Sequence, residues 1–319
     1  MKKFIILLSV LSVCYGVLEK DWKLFKQEFN KTYNSGEEEQ KRFKIFKENW
    51  NNINKHNKRY DKGLETYSQE INRFGDLTDN EFTETYGLSE NNWISNYTID
   101  NGSNQIDNDY LDWRAKGAVT PAKDQGKCGS CWIFSAVGNL ESLYFRKTGN
   151  LETFSEQYIV DCISNESCDG GSPKWAFEFM KEKGVRLESD YPYNAEQNNC
   201  KNLTTPVLFV DFNSTCFQNS MDEVVLKEAV RQNGPLSVCL YVTYRWRFYK
   251  SGVWFHNQCS DFSNHCLVLV GYGTENGKNY WLIKNSWGPN WGENGFIKVA
   301  RFKHQNYCGL YNAGNAYLI

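Results

Sequence analysis

Four residues of this 319-residue chain have the types and order needed for covalent chemistry: Gln125, Cys131, His265 and Asn285. Cys131 lies in the stretch Gln125-Gly126-Lys127-Cys128-Gly129-Ser130-Cys131-Trp132. A thiol attacks carbonyl carbon as a thiolate, so it needs a base and a group to orient that base. Three histidines follow residue 107, namely His256, His265 and His304; the surroundings of the first and last are polar and irregular and read as structural. His265 stands just before the apolar run Leu267-Val268-Leu269-Val270, where a rigid core would fix a base in place. Twenty residues later comes Asn285-Ser286-Trp287-Gly288, whose amide could accept the imidazole N–H under the shelter of an indole. The chemistry implied is acyl transfer through a thiol. Cys128 and Cys131 are also spaced as a redox or zinc pair, although a zinc site would want a second such pair and none is evident.

The elements that must hold these groups are legible from periodicity. Gly126 and Gly129 favour a tight turn, after which Ile133, Ala136, Val137, Leu140, Leu143 and Tyr144 recur at helical spacing until Gly149. Cys131 is therefore expected at the first turn of a buried helix, where the dipole and free N–H groups should lower its pKa. The run after His265 predicts a buried strand ending at Gly271-Tyr272-Gly273, and Leu236 to Val242 predicts another.

The front of the chain is made of different material. All six prolines and ten of the eleven cysteines follow residue 107. A short helix is expected over Trp22 to Phe29, and a long amphipathic one from Glu37 to Tyr60, which holds neither Gly nor Pro. Along it Glu38, Arg42, Phe46, Asn49, Ile53 and Asn57 share one slowly drifting face. Residues 91–108, rich in Asn, Asp and Ser, have the composition of an exposed, cleavable linker. Before all this, Lys2 and Lys3 precede an apolar run from Phe4 to Val13 with small residues Cys14 and Gly16 after it, as in a secretory signal peptide. About ten apolar residues fall short of the roughly 20 that span a bilayer, so no membrane anchor is expected. An oxidising compartment makes disulfides the default for the later cysteines. Sequons stand at Asn165, Asn202 and Asn213.

Composition excludes wholesale disorder, with 40% apolar residues and 11 Trp, 19 Tyr and 20 Phe. The net charge of -2 gives no electrostatic reason to expect nucleic acid or an anionic membrane as partner.

The six helical positions resemble the signature of the propeptides of papain-like, cathepsin L-type cysteine proteases, and Asn72, Phe74 and Asp76 are similar to the second motif of those propeptides. Glu70 departs from it, standing where a small residue is usual. Leu111-Asp112-Trp113-Arg114, Gly117-Ala118-Val119-Thr120-Pro121 and the Cys131, His265 and Asn285 order extend the resemblance through residues 107 to 319. It implies an α+β, papain-like two-domain fold, a helical domain plus a β-barrel-like domain, preceded by a small helical propeptide domain. The divisions expected are a signal peptide at 1–16, an inhibitory propeptide at 17–106 and a peptidase domain at 107–319.

Carried over by position, Cys131 would be the nucleophile, His265 its base and later acid, Asn285 the orienting residue, and Gln125 an oxyanion donor. Trp287 would shield the His265–Asn285 contact and Trp291 form a wall on the leaving-group side. Gly170 and Gly171, in Cys168-Asp169-Gly170-Gly171, would let an extended substrate backbone approach. Ser167 stands where the family usually has Gly. Pocket positions would be Pro173, Cys239, Cys266 and Ala313, all small or apolar, which implies an apolar residue two positions before the scissile bond.

The resemblance pairs Cys128 with Cys168, Cys162 with Cys200, and Cys259 with Cys308. Cys216, Cys239 and Cys266 are left over. Cys266 sits where relatives usually have Gly or Ala, and a Cys239–Cys266 bond beside the site and two separate buried thiols are both open readings. Cys216 either stays free or pairs with Cys239. Ile133, usually Ala, adds a β-branched group to the catalytic helix.

The function expected is a cysteine endopeptidase made as a zymogen, since no insertion of the kind that closes the cleft in exopeptidases is found. It would act as a monomer on polypeptides, without cofactor or metal, held inactive by its own propeptide, in a lysosomal or extracellular setting. The alternative is a non-catalytic papain-fold binding or inhibitor protein.

Overall fold

The computed structural model describes residues 18–86, 95–96, 109–164, 167–217, 221–302, 305–312, 314 and 316–319. The signal-peptide reading (1–16), most of the linker, His304, Ala313 and the Asn165 sequon fall outside them. Helices are α1 (18–28), α2 (Gly36–Tyr60), α3 (Asp79–Thr85), α4 (Cys131–Thr148), α5 (Glu156–Cys162), α6 (Pro173–Lys183) and α7 (Glu223–Asn233). Strands are β1 (Tyr67–Gln69), β2 (Ser95–Asn96), β3 (Leu111–Asp112), β4 (Thr215–Cys216), β5 (Leu236–Leu240), β6 (Tyr249–Trp254), β7 (Gln258–Cys259), β8 (His265–Glu275), β9 (Lys278–Lys284), β10 (Phe296–Ala300) and β11 (Ala316–Leu318).

Both expected front helices form. Ser35 caps α2 by accepting from the Glu38 N–H, with three glutamates in the first turn and Lys58 and Arg59 in the last, each matched to the local dipole. Three of the six signature positions, Arg42, Asn49 and Asn57, fasten the helix to the chain that follows, and Glu38 holds Arg42 from one turn earlier. Arg42 reaches Glu81 at 2.8 Å and the Asp76 carbonyl at 3.0 Å, Asn49 donates to the carbonyls of Gly75 and Leu77, and Asn57 brackets Gln69 with one bond in each direction. Phe46 is buried with Trp22 and Phe25 in a small aromatic core.

Two larger cores lie beyond it. One fills the space between α4, α5 and α6 around Trp132, Ala136, Leu140, Phe177 and Met180. The other lies within a nine-stranded sheet in the order β1-β6-β10-β9-β8-β5-β11-β4, with β3 paired to β8. The front segment enters this second core directly. Strand β1 adds antiparallel to the edge of β6, and Phe74, Phe82 and Tyr86 are buried among the barrel's own side chains. Glu70, the departure from the propeptide motif, is accommodated at that edge: its N–H donates to the Phe248 carbonyl and its carboxylate pairs with Lys250. From the linker, β2 pairs with β7.

Four disulfides are present among the described residues. Cys128–Cys168, Cys162–Cys200 and Cys259–Cys308 follow the resemblance, and the open question over Cys239 and Cys266 resolves as a bond between them. Cys131 and Cys216 are not in disulfides. With Cys128 bonded to Cys168, the redox-pair and zinc readings of Cys128 and Cys131 fall away, and among the described residues no cluster of His, Cys, Asp or Glu could hold a metal ion.

Candidate active site

Helix α4 begins at Cys131 and runs to Thr148, ended by Gly149 in the left-handed region at φ 78°. Its entry loop is pinned from outside. Cys128 is bonded to Cys168, the Gly129 N–H donates to the Cys168 carbonyl at 2.7 Å, and a Cβ on Gly129 would lie 2.4 Å from that oxygen. Only glycine permits so close an approach.

His265 is the first residue of β8, one register step from the Cys239–Cys266 bond that joins β5 to β8. Its ring is 1% exposed. Asn285 follows β9 directly, so both residues are delivered by adjacent antiparallel strands. The His265 Nε2 and Asn285 Oδ1 lie 2.9 Å apart. The same Oδ1 accepts the Ser286 N–H at 2.8 Å, which identifies it as the amide oxygen. The imidazole Nε2 therefore donates, and the lone pair of the neutral ring sits on Nδ1. That Nδ1 is buried and has no hydrogen-bond partner among the described residues.

The Cys131 sulfur meets the backbone N–H groups of Cys131, Trp132 and Cys266, the last being the neighbour of His265. These favour a thiolate, as expected for a helix start. The expected lowering of the thiol pKa is nevertheless overturned: some of its surface stays accessible, but burial under the surrounding protein outweighs the three N–H groups and pushes the thiol up. Burial likewise lowers His265 to about 4, against the opposing bond to Asn285. In this covered state burial favours the neutral form of both groups.

Gln125 is fully buried. Its Oε1 accepts the Ser286 hydroxyl at 2.6 Å, and its Nε2 donates to the Cys128 carbonyl at 3.0 Å, leaving a second amide N–H uncommitted by these contacts. The Asn285-Ser286 pair thus orients both His265 and Gln125. The Trp287 indole lies 5.3 Å from the His265 ring at 31°, and Trp291 packs edge-on behind it at 5.1 Å, its Nε1 donating to the Trp246 carbonyl.

The glycine pair serves two purposes. A Cβ on Gly171 would stand 2.5 Å from the Trp132 ring, so this glycine is required by packing on α4, while Gly170, at φ 101°, faces open space. Pro173 is buried at the start of α6, whose N-cap Ser172 lies 3.1 Å from the Tyr317 hydroxyl. Cys239 and Cys266 are 5% and 8% exposed, sulfur-lined flooring between the helical core and β8.

Several residues that matter here gave no separate signal. Arg73, hidden between Asn72 and Phe74, places its guanidinium on both oxygens of Asp124, next to Gln125, with one contact at 2.8 Å. Arg247, part-way between two strands, gathers the Leu77 carbonyl, Asn49 and Asp79. Tyr193 links Ser130 to Gln125. Each contact spans more than fifty residues, so no local pattern announces it. His256, expected to be structural, bonds within its own loop and, through its backbone, to the Tyr307 hydroxyl.

Against this geometry stand the comparisons with known proteins. Residues 108–317 match the family described as papain family cysteine protease, and residues 22–82 match the cathepsin propeptide inhibitor domain. The chain is 39% identical over 313 residues to a cathepsin L-like peptidase of Aedes aegypti, covering 93% of this chain and 92% of that one. It is 36% identical over 319 residues to digestive cysteine proteinase 1 of Homarus americanus, covering 96% and 97%. Among solved structures, digestive procathepsin L 3 of Tenebrio molitor larval midgut superposes with a TM-score of 0.82 at 35% identity, over 94% of this chain and 98% of that one.

Proposed function

The chain belongs to the papain family of cysteine proteases and carries its own cathepsin propeptide inhibitor domain, and from that premise we propose how its endopeptidase site works and is restrained. Cys131 is the nucleophile and His265 the base. The observation that carries this reading is the fixed tautomer: Asn285 holds Nε2–H, so the free Nδ1 of a buried imidazole is left for the thiol proton.

His265 takes the proton of Cys131, and the thiolate adds to the peptide carbonyl carbon. The oxyanion is met by the Cys131 N–H and the remaining Nε2–H of Gln125. His265 returns its proton to the departing amine, leaving a thioester. Water, deprotonated by His265, then releases the acid and restores the thiol. Restraint is electrostatic as well as steric. Covering the site dries Cys131 and His265 and favours their neutral forms, and removal of residues 17–106 readmits water and permits the thiolate and imidazolium.

The substrate lies along Gly170 and Gly171, with an apolar side chain two positions before the scissile bond held by Pro173, Cys239, Cys266 and Ala313. The enzyme acts as a monomer on polypeptides, in the lysosome or outside the cell, after cleavage near residue 107. Exposed Asn202 and Asn213 are available for glycosylation on that route.

Peptide-level labelling with a thiol-directed epoxide, before and after brief incubation near pH 5, tests the reading. Labelling of Cys131 should appear only with loss of the propeptide. A processed chain that stays unlabelled and does not hydrolyse peptides would move the non-catalytic binding protein to the front.

A further inference from the structure

Ser130 occupies the N-cap of α4, where a serine hydroxyl ordinarily accepts a backbone N–H from the first turn. Here it accepts none, and its backbone geometry, φ -93° and ψ 15°, is not the extended form of a capping residue. The reason lies in the loop at 191–195. The Tyr193 hydroxyl donates to the Gln125 carbonyl at 2.8 Å, and since it has one hydrogen, the 2.8 Å contact with Ser130 Oγ must be donated by Ser130. Ser130 is fully buried, so its hydroxyl has no water to fall back on, and the half-buried Tyr193 is held edge-on against Phe134 at 4.9 Å.

The geometry points to Tyr193 as a positioning residue that withholds a helix cap. By keeping the Ser130 hydroxyl turned away from α4, it leaves the N–H groups of Cys131 and Trp132 for the sulfur, where both are found. A capping hydroxyl would compete for the Trp132 N–H and draw off part of the positive field at the helix start; the Ile133 N–H is already donated to the Ser130 carbonyl. The second arm of the link acts on Gln125. One hydroxyl thereby ties together the two ends of the loop that supplies both oxyanion donors, residues 125 and 131. Burial keeps the Tyr193 phenol protonated, so it remains a donor over the working range of pH. Tyr193 touches no reacting atom. Its effect passes through Ser130 and Gln125, and it rests on the assignment of Cys131 and Gln125 made above.

The test is a pair of variants of the full chain, processed like the wild type. Tyr193→Phe keeps the ring against Phe134 and removes the hydroxyl, freeing Ser130 to cap. The pH midpoint for alkylation of Cys131 by iodoacetamide should rise by about one unit. At the same time kcat should fall about tenfold with KM within about twofold. Adding Ser130→Ala removes the competing hydroxyl, so the double variant should regain the wild-type alkylation midpoint while kcat stays low through the lost Gln125 tie. A purely structural tyrosine would lower thermal stability without moving the midpoint, and that result, or a double variant that keeps the raised midpoint, overturns the inference. Should Tyr193→Phe not fold, Ser130→Ala alone decides it, because a rise in its midpoint contradicts capping as the cause. A wild-type enzyme that neither alkylates at Cys131 nor hydrolyses peptides would instead overturn the functional assignment.

Discussion

The ring of Phe82 stands edge-on to the Trp287 indole, 5.3 Å between centroids at 84°, and the same indole lies 5.3 Å from the His265 ring. The propeptide and the imidazole share one side chain. Phe74 and Tyr86 meet the same indole at 6.1 and 5.6 Å, so three rings of the front segment form a wedge over the indole beside His265. The anchorage of this front segment is thus built into the barrel core, beside the His265 ring.

Phe82→Ala should therefore loosen the propeptide rather than the protease. Truncating a fully buried Phe costs about 3 to 5 kcal/mol where the cavity cannot collapse. Self-processing of the full chain should become faster and begin at higher pH. Unchanged processing at every pH, followed by electrophoresis, would show that the wedge carries no inhibitory weight.

Asn285→Ala removes the acceptor that fixes the His265 tautomer. The base remains, so the loss in kcat should reach at least about tenfold yet stay short of the roughly 10²- to 10⁴-fold associated with losing a general base outright. Steady-state hydrolysis of a peptide substrate by the processed variant measures it. A kcat equal to wild type would mean that β8 packing alone orients the ring.

Acid should destabilise the zymogen through His265. Its folded value of about 4 lies below the ordinary 6.5, so the folded state favours the neutral ring. The stabilisation is fully present above about pH 6.5 and is lost as pH falls through about 4, with about 3 kcal/mol as its upper bound. Urea midpoints of a Cys131→Ala zymogen, which cannot process itself, should drop from pH 7 to 4.5, and His265→Gln should shrink that drop. Equal drops with and without the histidine would assign acid sensitivity to carboxylates alone.

How much of this was legible in the sequence varies with the range of the interaction. The shared face of six residues on α2, the start and stop of α4 and the strand behind His265 follow from periodicity and punctuation over a few residues. Cys131, His265 and Asn285 are recognisable because their flanking motifs are distinctive. Arg73 on Asp124 and Tyr193 on Ser130 are not, since they join residues distant in the chain through side chains of ordinary type. The direction of the Cys131 shift failed for a related reason. The helix dipole is local and can be read from Gly129-Ser130-Cys131, whereas the burial that outweighs it comes from the whole fold.

The Cys239–Cys266 bond joins directly opposed residues of β5 and β8, one step from the Leu240 and His265 pair. It closes a loop of sequence separation 27, for which removal costs roughly 3.5 kcal/mol by loop-closure entropy. Replacing both residues by alanine should lower the unfolding free energy by about that amount. Catalysis should survive, because neither sulfur is among the reacting atoms, while the smaller side chains enlarge the proposed pocket and shift its preference toward bulkier apolar residues. Non-reducing peptide mapping of the wild type comes first: recovery of either cysteine as a free thiol would remove the bond, and with it the expected difference in stability.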